Sequence, residues 1–320
     1  MKSSQRGNAG FFDAFFEKSG FVLLDGGMAT ELERRGAILD DPLWSAKILL
    51  ERPDLIRQVH HDYFIAGADV ATTASYQATF EGFAKRGLGK QEAARLMRSS
   101  VELACEARDV FWSKQENRAG RTKPLVAASV GPYGAYLADG SEYQGDYGLS
   151  VAELMDFHRE RLEVLAETDA DLLAFETVPC LAEAEALLKL LEQLPGRVAW
   201  LSFSCRDGGH TSHGEPVEEA ALLTNASHQV VAVGVNCTAP IYVEEVLKRM
   251  AAVAQKPLLA YPNSGEGWDA SARCWLPAGS AGDWRQLASR WMAAGARLLG
   301  GCCRTGPEDI RFLRQVCKCH

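Results

Sequence analysis

The sequence predicts a single (β/α)8 TIM barrel with a site at the C-terminal mouth of its strands. Eight short apolar runs alternate with helical stretches at roughly forty residues per unit, the rhythm of a parallel barrel. The runs are apolar almost throughout, as strands buried on both faces must be. Residues able to do chemistry collect where the runs end.

In order, the runs are FVLLDGG (21–27), ADVATTAS (68–75), LVAASVGP (125–132) and DLLAFETVP (171–179). The second half supplies VAWLSFSC (198–205), VVAVGVNC (230–237), LLAYPNSG (258–265) and ARLLGGCC (296–303). Amphipathic stretches such as QEAARLMRSSVELACEARDVFW and VAELMDFHRERLEVLAE separate them. A doubly wound sheet is the alternative if one strand is miscounted. Residues 1–20 read as a lead-in, 21–316 as the barrel and 317–320 as a tail.

Bulk properties narrow the partners. Of 320 residues 47% are apolar, enough for a full core, and the net charge of −8 comes with no Lys/Arg-rich stripe. Nucleic acid and anionic membrane are therefore not expected partners, and no run approaches the length of a membrane span. The leader MKSSQRGNAGFFDAFFEKSG carries Asp13, Glu17 and Lys18, which interrupt any secretory signal, so it reads as a cytosolic lead-in helix. Nine scattered cysteines form no disulfide framework and imply a reducing compartment. The expectation is a cytoplasmic protein, monomeric or weakly homo-oligomeric, that acts on small molecules.

The run LLGGCCRTGP (298–307) is the most informative. Neighbouring side chains on a strand point to opposite faces, so Cys302 and Cys303 can serve one site only if the strand stops and turns there. Gly300 and Gly301 are the residues expected to permit that turn. A vicinal pair makes a strained disulfide and wants a third participant. Cys237, ending the sixth run, is a near neighbour of the eighth run's end across one mouth. Three thiolates suit Zn²⁺ and leave a fourth position open. Spacing alone also allows a core Cys237 beside an incidental or redox-active pair. An open three-thiolate centre suits activation of a substrate thiol, because zinc deprotonates a coordinating thiol that is otherwise a few per cent ionised near neutrality. Alkyl transfer to sulfur is the reaction that follows.

Two carboxylates accompany the sulfurs. Glu176 at the end of the fourth run and Asp25 after the first fit the ammonium group of an amino-acid thiol. Otherwise Asp25 would cap a turn in DGG and Glu176 would form a buried ion pair. Tyr76, Tyr133 and Trp44 lie near strand ends, where each is either packing or a cation–π contact. HTSH (210–213) reads as a loop lining the mouth, His60–His61 as helix packing or surface beside Asp62, and the terminal CKCH carries no assigned role.

The chain resembles the homocysteine S-methyltransferase family, especially the plant-type S-methylmethionine-dependent enzymes and their selenocysteine methyltransferase relatives. The resemblance rests on LDGGMATELERRG (24–36), DPLWSAK (41–47), TASYQAT (73–79), GPYGAYLADGSEYQGDY (131–147), FETVP (175–179), GVNC (234–237), YPNSGE (261–266) and GGCCRT (300–305). These blocks occur in family order across about residues 21–316. Gly306 departs from the Thr that the family often carries there, a local loop detail. The resemblance implies a zinc-dependent TIM barrel that moves a methyl group from a sulfonium to homocysteine, giving methionine by direct displacement. It implies zinc on Cys237, Cys302 and Cys303, homocysteine contacts at Asp25 and Glu176, and weaker ones at Thr73 and Asn236. S-methylmethionine is the expected donor, S-adenosylmethionine a secondary one, and selenocysteine or selenohomocysteine an alternative acceptor. A vicinal-cysteine redox protein is the rival of a different class.

Overall fold

In the computed structural model the described residues are 10–39, 43, 45–269, 274–276 and 284–318. The strands are β1 (Val22–Leu23), β2 (Val70–Thr72), β3 (Leu125–Val130), β4 (Leu172–Val178), β5 (Ala199–Phe203), β6 (Val230–Asn236) and β7 (Leu258–Tyr261). A small antiparallel hairpin of β8 (Gly267–Asp269) and β9 (Cys274–Leu276) follows, and then β10 (Ala296–Leu299). Every barrel strand falls inside one of the eight apolar runs; only the hairpin lies outside them. The eight-stranded sheet runs β1-β10-β7-β6-β5-β4-β3-β2 with parallel pairing throughout. That order is a barrel opened at the β1/β2 seam, and helices cross over between successive strands as parallel pairing demands.

The period-2 alternation of the strands sorts the core into two layers. Val22, Leu24, Val70, Ala127, Leu172, Ala174, Val198, Trp200, Ala232, Leu259 and Leu298 form one buried cluster inside the barrel. Their alternates Leu23, Val126, Ala128, Leu173, Phe175, Leu201, Phe203, Val233, Val235 and Leu299 pack outward onto the helices. The lead-in is part of this core. Phe12 and Phe15, beside and within the helix Asp13–Ser19, join the inner cluster and close the barrel's lower end. Lys18 Nζ and Thr122 Oγ1 donate to the carbonyls of Arg121 and Ala14 and tie that helix to the segment entering β3. No helix among the described residues is long and apolar enough to cross a membrane.

Asp69 closes the seam. Leu24 and Val70 form a parallel bridge; Asp69 N donates to Leu23 O (2.6 Å), and Leu23 N donates to Asp69 Oδ2 (3.0 Å). Arg314 reaches the same carboxylate with both terminal nitrogens (2.7 and 3.1 Å) from the last helix, Pro307–Cys317, while Arg121 adds a 3.3 Å contact. Asp69 is 1% exposed, so truncating it strands the Arg314 guanidinium and the Leu23 N–H. Asp69→Ala is expected to lose about 3–5 kcal/mol, the usual cost of breaking a buried ion pair. A lowered urea midpoint with an unchanged slope would show it; a midpoint unchanged from wild type would refute the seam's role.

Candidate functional site

The same alternation that puts apolar residues low in the lumen puts polar ones at its top. Thr72, Ser129, Glu176, Ser202, Asn236 and Tyr261 each continue the inward-facing row of their strand. They form a connected polar layer under the mouth. Glu176 accepts from the Ser129 hydroxyl through Oε1 and from the Tyr261 hydroxyl through Oε2 (3.1 Å). Trp200 Nε1 donates to the same phenol oxygen (3.2 Å), which also shares a hydrogen bond with Ser202 Oγ (2.6 Å). Asp25, just past β1, accepts at Oδ2 from Thr72 N and at Oδ1 from Thr72 Oγ1, both at 2.8 Å.

Neither carboxylate meets a cationic side chain among the described residues. Burial pushes the Asp25 carboxyl up to about 8 against the two Thr72 hydrogen bonds, with the Glu176 charge adding to the rise. Burial likewise pushes Glu176 up to about 7 despite Ser129 and Tyr261. An acidic pair kept dry and unneutralised is suited to a cationic ligand group. Both alternatives raised for these residues fail: Glu176 has no Arg or Lys partner among the described residues, and the Asp25 side chain spans to β2 rather than capping its own turn.

The strand ends above this layer carry unusual backbone. Thr177 and Cys237 are left-handed (φ 61° and 46°), a costly choice for a β-branched residue and for any residue with a Cβ. Asn236 fixes the first: its Oδ1 accepts from Thr177 N (2.7 Å) and Ser202 Oγ (2.8 Å), and its Nδ2 donates to Thr177 Oγ1 (2.8 Å). Its side chain thus holds the turns that present Glu176 and Cys237. Thr73 is similarly engaged, sharing a hydrogen bond with Ser75 Oγ (2.7 Å) and accepting from Ser129 N (3.0 Å). The threonine that meets Asp25 is its neighbour Thr72.

Cys302 and Cys303 follow β10, as the sequence indicated, but the glycines act differently from expectation. Neither Gly300 nor Gly301 has positive φ; Arg304 does (φ 65°). The glycines are needed for space. A Cβ on Gly300 would sit 2.6 Å from Leu24 Cβ and 2.9 Å from Asp25 O, and one on Gly301 would overlap the Thr305 side chain. Gly27 is constrained in the same way, 2.7 Å from Cys302 O. Cys302 N donates to Pro262 O (2.8 Å) and Cys303 N to Asn263 Oδ1 (3.2 Å), which ties the pair to the β7 end.

The Sγ atoms of Cys237, Cys302 and Cys303 all lie within 4.8 Å of one another, the one such metal-capable group among the described residues. Cys237 and Cys302 are joined as a disulfide, and Cys303 Sγ lies 3.7 Å from Cys237 Sγ. The vicinal disulfide that a redox protein built on Cys302–Cys303 requires is therefore not the one formed; the bond spans β6 and β10. Burial pushes the Cys303 thiol up to about 12, with the Glu142 and Glu176 charges adding to the rise. Such a thiol stays protonated at neutral pH unless a cation sits among the sulfurs. With the Cys237–Cys302 bond reduced, the three sulfurs would offer convergent thiolates that suit a soft divalent ion.

The remaining sequence candidates resolve as packing. Tyr133 packs edge-on or tilted against Tyr136, Tyr147 and Phe157 and donates its N–H to Glu183 (2.5 Å). His210 pairs with Asp207 and His213 with Glu215, each at 2.9 Å, so HTSH makes two separate local pairs. His60 is buried without a partner among the described residues and His61 lies near Asp62. Trp44, Cys319 and His320 lie outside the described residues. Thr72, Ser129, Ser202 and Tyr261 escaped the sequence reading, although extending each strand's inward row by one step finds all four.

A parallel barrel whose mouth gathers three sulfurs over paired dry carboxylates is a thiol-ligated metal-site enzyme in design. The sequence model described as homocysteine S-methyltransferase matches residues 22–317. The Bacillus subtilis homocysteine S-methyltransferase YbgG is 54% identical over 91% of this chain and 92% of its own. An Arabidopsis thaliana homocysteine S-methyltransferase is 48% identical over 93% and 94%. The Escherichia coli homocysteine methyltransferase MmuM, solved in a metallated form, superposes with a TM-score of 0.86 at 48% identity, covering 95% of this chain and 99% of that one. Its oxidized form gives 0.85 at 49% with the same coverage. The chain belongs to the homocysteine S-methyltransferase family.

Proposed function

We propose that this protein transfers a methyl group from S-methylmethionine, and secondarily from S-adenosylmethionine, to homocysteine, forming methionine. The observation that carries the reading is the convergence of Cys237, Cys302 and Cys303 above Asp25 and Glu176. That arrangement offers a thiol site and an ammonium site in one mouth. Zinc held by the three cysteines would supply the charge that lets the homocysteine sulfur ionise and stay nucleophilic. The chain's own residues do the positioning. Asp25, held by Thr72, and Glu176, held by Ser129 and Tyr261, fix the substrate ammonium. Asn236 and Thr177 keep the Glu176 and Cys237 turns in register. The homocysteine sulfur then attacks the methyl carbon in line. Its electron pair forms the new S–CH3 bond, and the breaking bond's pair leaves on the donor sulfur, now a neutral thioether. Opposite charges cancel in this step, so a water-poor mouth favours it, and positioning supplies much of the rate.

The barrel spanning residues 21–316 is the proposed functional unit, working on small molecules in the cytoplasm. The test is methionine formation by reduced, zinc-loaded protein with S-methylmethionine, S-adenosylmethionine or betaine, before and after chelation. Turnover with S-methylmethionine that vanishes on chelation and returns with zinc is expected; no methionine from any donor would overturn the reading. A relative 47% identical to this chain is a selenocysteine Se-methyltransferase from Brassica oleracea, which makes selenocysteine the second acceptor to assay.

The raised carboxyls give a pH dependence. An ammonium group needs ionised partners, and burial holds Asp25 near 8 and Glu176 near 7. Affinity for the amino-acid head should therefore tighten as pH rises from about 6 to about 8.5, titrating as a coupled pair. Calorimetry with 2-aminobutyrate, which has no thiol, isolates this effect. An affinity flat over that range would remove the two carboxylates from the ammonium site.

A further inference from the structure

The mouth contains a third carboxylate that homocysteine does not use. Glu142 sits on the 3-10 turn Ser141–Tyr143, in the loop after β3. That turn is clamped to the barrel. A Cβ on Gly134 would lie 2.6 Å from Ser141 C and 2.7 Å from the Tyr147 hydroxyl, and Ser204 Oγ donates to the Glu142 carbonyl (3.1 Å). Ser204 follows β5 beside Cys205, whose N–H donates to Thr238 Oγ1 (2.9 Å), next to Cys237, so the turn lies on the sulfur side of the mouth. Among charged groups Glu142 acts most strongly on the Cys303 thiol, ahead of Glu176. It is also the first charge felt by the Tyr76 hydroxyl, and it acts with Cys303 on Tyr143.

Its Oε2 is buried with no hydrogen-bond partner among the described residues. The charge that acts on it is Asp139, of like sign. A carboxylate oxygen withdrawn from water without a partner or counter-ion is costly, so a buried one signals a missing positive group. Among the described residues no Lys or Arg side chain supplies that group.

We propose that Glu142 is the counter-ion for the sulfonium of the methyl donor, with the rings of Tyr76 and Tyr143 beside the same cation. This inference rests on the methyl-transfer reading above. In that reading Asp25 and Glu176 serve the acceptor's ammonium, whereas Glu142 faces Cys303 with its Oε2 unpartnered among the described residues. In-line attack puts the donor sulfur directly beyond the methyl carbon, next to that cluster, and puts the donor's amino group several bonds farther away. A soft onium ion with no N–H groups is held by charge and aromatic faces rather than by hydrogen bonds. Because the sulfonium loses its charge during transfer, a carboxylate beside it stabilises the bound donor more than the transition state. The contribution of Glu142 therefore falls on donor KM more than on kcat.

The test compares Glu142→Gln with wild type as reduced, zinc-loaded, full-length protein. Two donors are used: S-methylmethionine and 3-dimethylsulfoniopropionate, which is a sulfonium without an amino group. The variant should raise donor KM by about tenfold or more for both, with a smaller change in kcat, as loss of one charge contact predicts. Homocysteine KM should stay within about twofold, because ground-state contacts to the other substrate are kept. Calorimetric titration of each donor onto the protein should show the same loss of affinity. An unchanged donor KM, a rise confined to the amino-bearing donor, or an equal rise for homocysteine would each overturn the proposal. If Glu142→Gln does not fold, Glu142→Asp decides by the same comparison, since it withdraws the charge by one methylene. If wild type makes no methionine from any sulfonium, the methyl-transfer reading fails, and the calorimetric comparison still decides the role of Glu142.

Discussion

Replacing Cys303 by serine is expected to reduce methionine formation by about three orders of magnitude or more, since a serine hydroxyl does not ionise as a thiol does and leaves an incomplete metal site. Cys303 is the informative member of the three because it stands outside the Cys237–Cys302 disulfide. Its loss removes one sulfur while leaving the bond between the other two available. Bound zinc, measured by emission spectroscopy on reduced protein, should fall with the activity. The fold should survive, because Cys303 is partly exposed at the mouth and its N–H bond to Asn263 is a backbone contact that serine keeps. Full activity in a Cys303→Ser protein that no longer binds zinc would separate the metal from the reaction.

The second large effect concerns the carboxylates. Glu176→Gln and Asp25→Asn should each lower kcat/KM for homocysteine by about 10- to 150-fold, the range for a lost charge-assisted hydrogen bond. The pair should be non-additive, since both face one ammonium. The same substitutions should raise stability at alkaline pH. Each folded carboxyl lies above its ordinary value of 4.5 or 3.8, near 7 for Glu176 and near 8 for Asp25. The folded state therefore binds the proton more tightly than the unfolded state. That contribution is fully present below about pH 4 and is lost as pH rises through 7 to 8. At pH 9 a neutral amide avoids the burial of charge, so Tm should exceed wild type, while at pH 4 the difference should vanish. A binding residue kept at a cost to stability is a familiar compromise. A Tm lowered at pH 9 would mean that the carboxylates are structural.

Most of this architecture is legible in the sequence, for a physical reason. Parallel barrel strands are buried on both faces, and their apolar runs stand out against amphipathic helices, so all eight were found. Strand ends are also visible, which located Asp25, Glu176, Asn236 and the three cysteines. What the sequence does not display is which group each end residue touches. Thr72 and Thr73 are adjacent in ATTAS, and only the register of β2 against β1 gives the Asp25 contact to the first. Asn236 is visible as a strand-end residue, whereas its hydrogen bonds to Thr177 and Ser202 are not. Gly300 and Gly301 read as the residues that permit a turn, whereas the pressure on them is the nearness of Leu24, Asp25 and Thr305. The lead-in reads from sequence only as a helix ahead of the barrel. Phe12 and Phe15 reveal their role only beside the open lower end of the lumen. Glu142 gave no periodic signal at all, since it lies on an irregular loop where neither the 3.6 nor the 2.0 period applies.

The central claim is that the three cysteines hold a metal which then receives the substrate sulfur. X-ray absorption at the zinc edge, on reduced protein loaded with one equivalent of zinc, tests this without reference to turnover. Three sulfur neighbours at about 2.3 Å should become four when homocysteine is added, as expected for an open tetrahedral zinc site. A zinc environment unchanged by homocysteine, or one already saturated by four protein ligands, would contradict the account.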